Sequence, residues 1–132
     1  MSDLLLDTCA VLWLANGDTM AAEARTAIAE GSLFVSPISA WEVATLVRKN
    51  RIALTMPTTA WFNHSIARMG AELTPLSVDI LIESCALPGA QAGDPADRIV
   101  IATARAAALT VVTRDAAILR YAQAGHVQAL RC

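Results

Sequence analysis

Leu4-Leu5-Leu6-Asp7-Thr8 opens the chain with an unbroken apolar run that stops on an acid. Short apolar runs without polar alternation mark strands covered on both faces, and such strands are usually parallel. Working outward, Thr8 opens a helical pattern over 9–15, stopped at Asn16-Gly17. A second helix spans 19–30 and ends at Gly31, a natural residue just past a helix. Strand 33–35 is broken by Ser36-Pro37, and Ser39 begins a helix that runs to about 50. A helix over 58–69 closes on Gly70, and a strand follows over 72–74. Ser77 caps a helix to 87, ended by Pro88-Gly89, and 91–93 is a loop. Asp94-Pro95 starts a long helix to 108, apolar almost all round beyond its first turn, as a central helix should be. Strand 109–113, a short helix over 115–121 and a weak strand over 127–130 complete the chain. Strands alternating with helices predict an α/β fold in one domain, 1–132, around a mainly parallel sheet of about five strands.

The 132 residues match one ordinary domain, and 55% apolar against 17% charged excludes global disorder. A net charge of −2 argues against coating nucleic acid through bulk positive charge, but not against a local grip. Cys9, Cys85 and Cys132 form no metal-ligand spacing, and their sparse, odd count fits a reducing compartment. They are expected as buried apolar fillers, with Cys9 the one open to oxidation because it stands beside Asp7. The apolar stretch from Leu4 to Ala15 lacks a basic leader and is interrupted by Asp7, so it does not read as a signal peptide. No run reaches the ~18 apolar residues that cross a bilayer. The expectation is a cytoplasmic protein with no membrane partner.

In open α/β sheets the functional crevice lies beyond the carboxyl ends of the strands. Asp7 follows the first strand, and Glu42 starts the helix after the second. Asp94 and Asp97 open the helix that leads into the fourth strand, and Asp115 follows that strand. Most have a plain structural explanation. Ser39-x-x-Glu42 is a capping box. Asp94-Pro95-x-Asp97 reads as N-cap, first-turn proline and first-turn acid. Asp115 reads as an acid in a helix's first turn. Asp7 does not cap the strand it closes, and burying it costs several kcal/mol unless it is paired or metal-bound. Helix caps do not require that these acids converge on one edge of one sheet. Converging carboxylates repel, and an all-oxygen ligand set selects hard cations, Mg²⁺ or Mn²⁺.

With these residues in order, the chain resembles PIN-domain ribonucleases, specifically the VapC-type toxins of bacterial toxin–antitoxin pairs. The resemblance covers nearly the whole chain and rests on four segments. These are Leu5-Leu6-Asp7-Thr8, Ser36-Pro37-Ile38-Ser39-Ala40-Trp41-Glu42-Val43, Gly93-Asp94-Pro95-Ala96-Asp97-Arg98 with the apolar helix behind it, and Val112-Thr113-Arg114-Asp115. The resemblance implies a three-layer α/β/α sandwich and a Mg²⁺- or Mn²⁺-dependent endoribonuclease. It implies that Asp7, Glu42, Asp97 and Asp115 are catalytic, metal-binding acids, with Asp94 a weaker ligand and Thr8 and Thr113 in support. It also implies hydrolysis by a metal-activated water, leaving a 5′-phosphate and a 3′-hydroxyl. The implied partners are an RNA substrate and a cognate antitoxin, in a homodimer or a toxin–antitoxin hetero-oligomer.

Arg98 and Arg105, seven apart on one helical stripe, and Arg114 beside the acids are candidates for substrate grip; a solvated face is the plain alternative. Trp13, Trp41, Trp61, Phe34 and Phe62 read as core or interface, and His64 and His126 as surface or loop. Two other functions compete. A receiver-like signalling domain also clusters acids at strand ends, but the chain's only lysine, Lys49, does not follow a late strand. A non-catalytic binding module would use the same acids only as caps. Setting aside the five candidate acids leaves ten basic residues against seven acidic ones, a slightly basic shell around an acidic pocket.

Overall fold

The computed structural model describes residues 3–89 and 93–132. The expected loop at 91–93 lies, apart from Gly93, outside them. The strands are β1 (Asp3–Leu6), β2 (Ser32–Val35), β3 (Glu72–Leu73), β4 (Thr110–Thr113) and β5 (Gln128–Arg131). The helices are α1 (Thr8–Asn16), α2 (Ala22–Glu30), α3 (Ile38–Arg48), α4 (Thr58–Met69), α5 (Val78–Glu83), α6 (Pro95–Ala107) and α7 (Ala116–Gln123). All strand pairings are parallel, in the order β3-β2-β1-β4-β5.

The triple leucine does what a doubly covered strand requires. Leu4 and Leu6 face one core with Ala10, Val11, Ala24, Val35, Phe62 and Ile66, from β2 and helices α1, α2 and α4. Leu5 faces the other with Val100, Ile101, Ala104, Val111, Ile118 and Tyr121, from β4 and helices α6 and α7. The result is a three-layer α/β/α sandwich, with α3 packed against α1, α4 and α6. Helix α6 buries Ala96 and an unbroken run from Ile99 to Ala104, as expected of a central helix.

Some boundaries move for identifiable reasons. α2 starts at Ala22 rather than 19, because the backbone N–H of Ala21 donates to Cys132 O at 3.3 Å and ties the segment to the end of β5. α5 ends at Glu83, not 87; Cys85 and Ala86 form tighter turns on Ile82 and Glu83. α6 ends when Ala108 turns left-handed at φ 55°. The cysteines depart from expectation. Only Cys132 is buried, whereas Cys9 and Cys85 are exposed. On α1 the inward positions belong to Thr8, Ala10 and Val11, which leaves Cys9 facing out. Among the aromatics, Phe62 is buried, Trp13 and Trp61 pack against the first core, and Trp41 is exposed. His126 is part-buried, its ring 4.7 Å from that of Tyr121.

Candidate active site

Because β2 and β4 flank β1 on opposite sides, the direction of winding reverses between β1 and β4. That reversal splays the loops and opens a crevice at the carboxyl ends of these two strands. Asp7 stands directly after β1, and Asp115 two residues after β4.

Asp7 is 6% exposed. Its Oδ1 accepts from the Ala10 N–H at 2.8 Å, so it caps α1 as well as closing β1. Its Oδ2 accepts from the hydroxyl of Thr113, which is fully buried. Thr113 Oγ1 in turn accepts from the Asp115 N–H at 2.9 Å. Burial raises the Asp7 pKa, the two hydrogen bonds oppose this, and the Asp115 charge adds to it.

The capping box does not form. α3 begins at Ile38 after a Pro37 cap, and its first turn is set by Ser36, whose Oγ accepts from the Ile38 N–H at 3.2 Å. Ser39 therefore lies inside the helix, and Glu42 lies two residues beyond the position a box needs. Glu42 Oε1 instead accepts from the Thr8 hydroxyl, which also contacts Ser39 Oγ at 2.9 Å. Burial raises the Glu42 pKa, the Thr8 bond lowers it, and Asp94 and Asp7 raise it further.

Asp94 caps α6 as expected, its Oδ1 accepting from the Asp97 N–H at 2.9 Å. Asp115 is the cap of α7 rather than a first-turn acid, with Oδ2 accepting from Ile118 N–H at 2.9 Å. Asp97 lies against the backbone of Gly93, where φ is +63° and an added Cβ would stand 2.3 Å from Asp97 Oδ2. Burial, then the charges of Asp94, Asp115 and Glu42, push the Asp97 pKa up to about 7. The sequence places Gly93 in a loop and at the head of the Gly93–Arg98 segment without giving it a role, and only a residue lacking a Cβ admits this packing. The glycine directly before Asp94-Pro95 was the available signal.

The donor chemistry of this edge fits a hard divalent cation: every candidate ligand is a carboxylate oxygen, and neighbouring acid charges help to raise the pKa of Asp7, Glu42 and Asp97. Their spacing is open, however. Among the described residues, no three acids, histidines or cysteines are close enough together to hold a metal ion.

The arginines separate. Arg114 lies over the Trp13 ring at 3.7 Å and donates to Thr19 O at 2.9 Å, which fastens α1 to the segment before α2. Arg98 donates to Gly93 O at 3.0 Å and braces the turn that carries Asp94. Arg105 donates to His126 O, at the end of α6 that feeds the start of β4. α6 runs against the strands, so Arg105 sits at the sheet edge opposite the acids, about 10 Å along the helix from Arg98. Spacing of seven gave a shared stripe but not a shared edge.

Comparison with known proteins agrees with this architecture. A family model described as PIN domain matches residues 4–124. The chain is 32% identical over 117 residues to Ribonuclease VapC22 of Mycobacterium tuberculosis, covering 87% of this chain and 88% of that protein. Among solved structures, VapBC2 from Rickettsia felis, bound to a DNA fragment from its promoter, superposes with a TM-score of 0.70 at 14% identity, covering 98% of both chains. A toxin–antitoxin complex from Klebsiella pneumoniae gives a TM-score of 0.58 at 24% identity, over 85% of this chain and 86% of that one. The two structures speak for the fold; the family match and the VapC22 identity settle membership: this chain belongs to the PIN-domain family and is of the VapC type.

Proposed function

We propose that the chain is a Mg²⁺- or Mn²⁺-dependent endoribonuclease and the toxin of a toxin–antitoxin pair, acting as one domain over 1–132. The observation that carries this reading is the electrostatic coupling of Asp7, Glu42, Asp97 and Asp115 around the β1/β4 crevice, at the open spacing in which they stand. Asp7 is buried and the other three are part-buried, and neighbouring acid charges help to raise the pKa of Asp7, Glu42 and Asp97. Its VapC22 relative, named a ribonuclease, supports the activity. The toxin–antitoxin complexes among its fold relatives support the partner.

Asp7, Glu42, Asp97 and Asp115 would hold the cation, with Asp94 at the margin. When bound, such a cation supplies positive charge to activate a water and to offset charge on the leaving 3′ oxygen of a phosphodiester. The chain's own contribution is placement. Thr113 holds Asp7 through Oδ2, and Thr8 holds Glu42. Gly93 lets Asp97 lie close to the chain. Arg98 and Arg114 each give one guanidinium N–H to a backbone carbonyl and keep others for phosphate contacts, whereas Arg105 is engaged with His126 O at the opposite edge of the sheet. The proposed partners are RNA and a small antitoxin protein, with the chain in a homodimer or a toxin–antitoxin hetero-oligomer. No helix among the described residues is long and apolar enough to cross a membrane; we place the protein in the cytoplasm.

Incubating the purified chain with RNA and Mn²⁺, beside an Asp7→Asn control, tests the reading. Cleavage leaving 5′-phosphate and 3′-hydroxyl ends, abolished by EDTA and by the substitution, is expected. Activity in excess EDTA, or a 2′,3′-cyclic phosphate product, would overturn the metal mechanism. Absence of both cleavage and Mn²⁺ binding would favour a non-catalytic binding module.

A further inference from the structure

Arg114 stands in sequence between Thr113, which holds Asp7, and Asp115. A guanidinium so close to acids has carboxylates at hand, yet its contacts are neutral. Its central carbon lies 3.7 Å from the centroid of the Trp13 ring, and Nη2 donates to Thr19 O at 2.9 Å. A further hydrogen bond reaches Cys132, just past β5. Trp13 packs against the first core, so its ring is fixed and the stacked cation is held in one plane. Stacking engages the face of a guanidinium and leaves its N–H edge open. Arg114 is exposed, and it has more donors than these partners use. We infer that Arg114 is the phosphate-binding residue of this edge and that Trp13 is the positioning residue that holds it. The proposal rests on the reading of this edge as an RNA-cleaving site.

The geometry also says which phosphate. Trp13 stands about 9 Å along α1 from its Asp7 cap. That is farther than one phosphate group spans, so Arg114 grips a phosphate next to the scissile one. The two charges still share a neighbourhood: burial and then Asp7 raise the Cys132 pKa, and Arg114 pulls it back. A preorganised cation beside an acidic crevice offsets the repulsion that the acids exert on a polyanion, without filling the metal position.

The test follows binding of a labelled single-stranded RNA to the full chain by fluorescence anisotropy, over a salt series in chelator. Beside it run kcat and KM for cleavage in Mn²⁺, and thermal unfolding. Arg114→Gln keeps a donor for Thr19 and loses the charge. It is expected to lower affinity roughly tenfold and the log–log salt slope by about 0.7, the share of one single-strand phosphate. In Mn²⁺ the loss should fall on KM, with kcat changed by less than about threefold. Trp13→Leu keeps an apolar side chain but no π face, and should lower affinity about threefold. On top of Arg114→Gln it should cost less than about twofold, because it acts through Arg114. Trp13→Phe, which keeps a ring, should stay within about twofold of wild type. A wild-type salt slope in Arg114→Gln, or equal losses from Trp13→Leu in both backgrounds, would overturn the proposal. If Arg114→Gln does not fold, Arg114→Lys decides: the wild-type slope with affinity about threefold lower upholds the stacked grip, and wild-type affinity rejects it. RNA bound with the expected slopes but not cleaved in Mn²⁺ defeats the hydrolytic reading and leaves the phosphate contact standing. An unaltered chain with no RNA affinity in chelator or in Mn²⁺ defeats both.

Discussion

Thr113→Val is the perturbation that most sharply separates the two roles of the acid edge, structural and chemical. Valine keeps the shape of a threonine, so no cavity opens and the change is confined to hydrogen bonding. Two partners are stranded at once. Asp7 Oδ2 loses its donor, and the Asp115 N–H loses its acceptor. A buried group left unsatisfied costs about 1–3 kcal/mol. Asp7 is deeply buried, whereas Asp115 is only part-buried and can recruit water, so the sum is about 2–4 kcal/mol. For a chain of 132 residues the unfolding entropy is about 0.28 kcal/mol per degree. The expected fall in Tm is therefore roughly 7–14 °C. Differential scanning calorimetry at neutral pH measures it. Thr110→Val, on the same strand but bonded at 3.3 Å to Gln128 in an exposed position, is the control, expected within about 0.5 kcal/mol of wild type. The Asp7 pKa should also move further up, since one of its two lowering bonds is gone. If Thr113→Val melts within about 2 °C of wild type, Thr113 does not bear the weight assigned to it and the orientation of Asp7 has another source.

The remaining predictions concern Asp97, Gly93 and Cys9. Asp97 has a folded pKa of about 7 against an ordinary 3.8, so the fold favours its protonated form. That stability is fully present below pH 3.8 and is lost as pH rises through 7. In chelator, Asp97→Asn should therefore melt above wild type at pH 8 and with it at low pH. After discounting for its partial exposure, the gap is about 1–2 kcal/mol; a variant that melts below wild type at pH 8 would contradict the shift. Gly93→Ala places a methyl on Asp97 at a positive φ, and calorimetry should find Mn²⁺ affinity reduced at least about tenfold. Stability should fall only by about 1–2 kcal/mol. Cys9 is exposed, yet desolvation and the charges of Asp7, Glu42, Asp97 and Asp115 push its thiol up to about 11. Alkylation at pH 8 should be at least about tenfold slower than that of glutathione, and Mn²⁺ should accelerate it by neutralising the acids. An unchanged rate on adding Mn²⁺ would place the cation elsewhere.

Leu4-Leu5-Leu6-Asp7 carried the architecture by itself. An apolar run with no alternation has to be covered on both faces, and with helices alternating along the chain that favours a parallel sheet between two helical layers. The same local logic placed the Asp94 cap, the α6 core run and the positions of Asp7 and Asp115 after their strands, because each depends only on neighbours along the chain. What tertiary structure alone decided are the contacts between residues far apart in sequence. Ser39 looks like a cap because its spacing to Glu42 is right, but Ser36 starts the helix earlier and Thr8, 31 residues away, takes the Ser39 hydroxyl. Arg98 and Arg105 share a stripe, yet α6 carries them to opposite edges of the sheet. Thr113 reaches Asp7 across 106 residues, because β1 and β4 lie side by side. Periodicity and capping act over one turn of chain, whereas the direction of a hydroxyl or guanidinium is set by whichever distant strand or helix packs beside it.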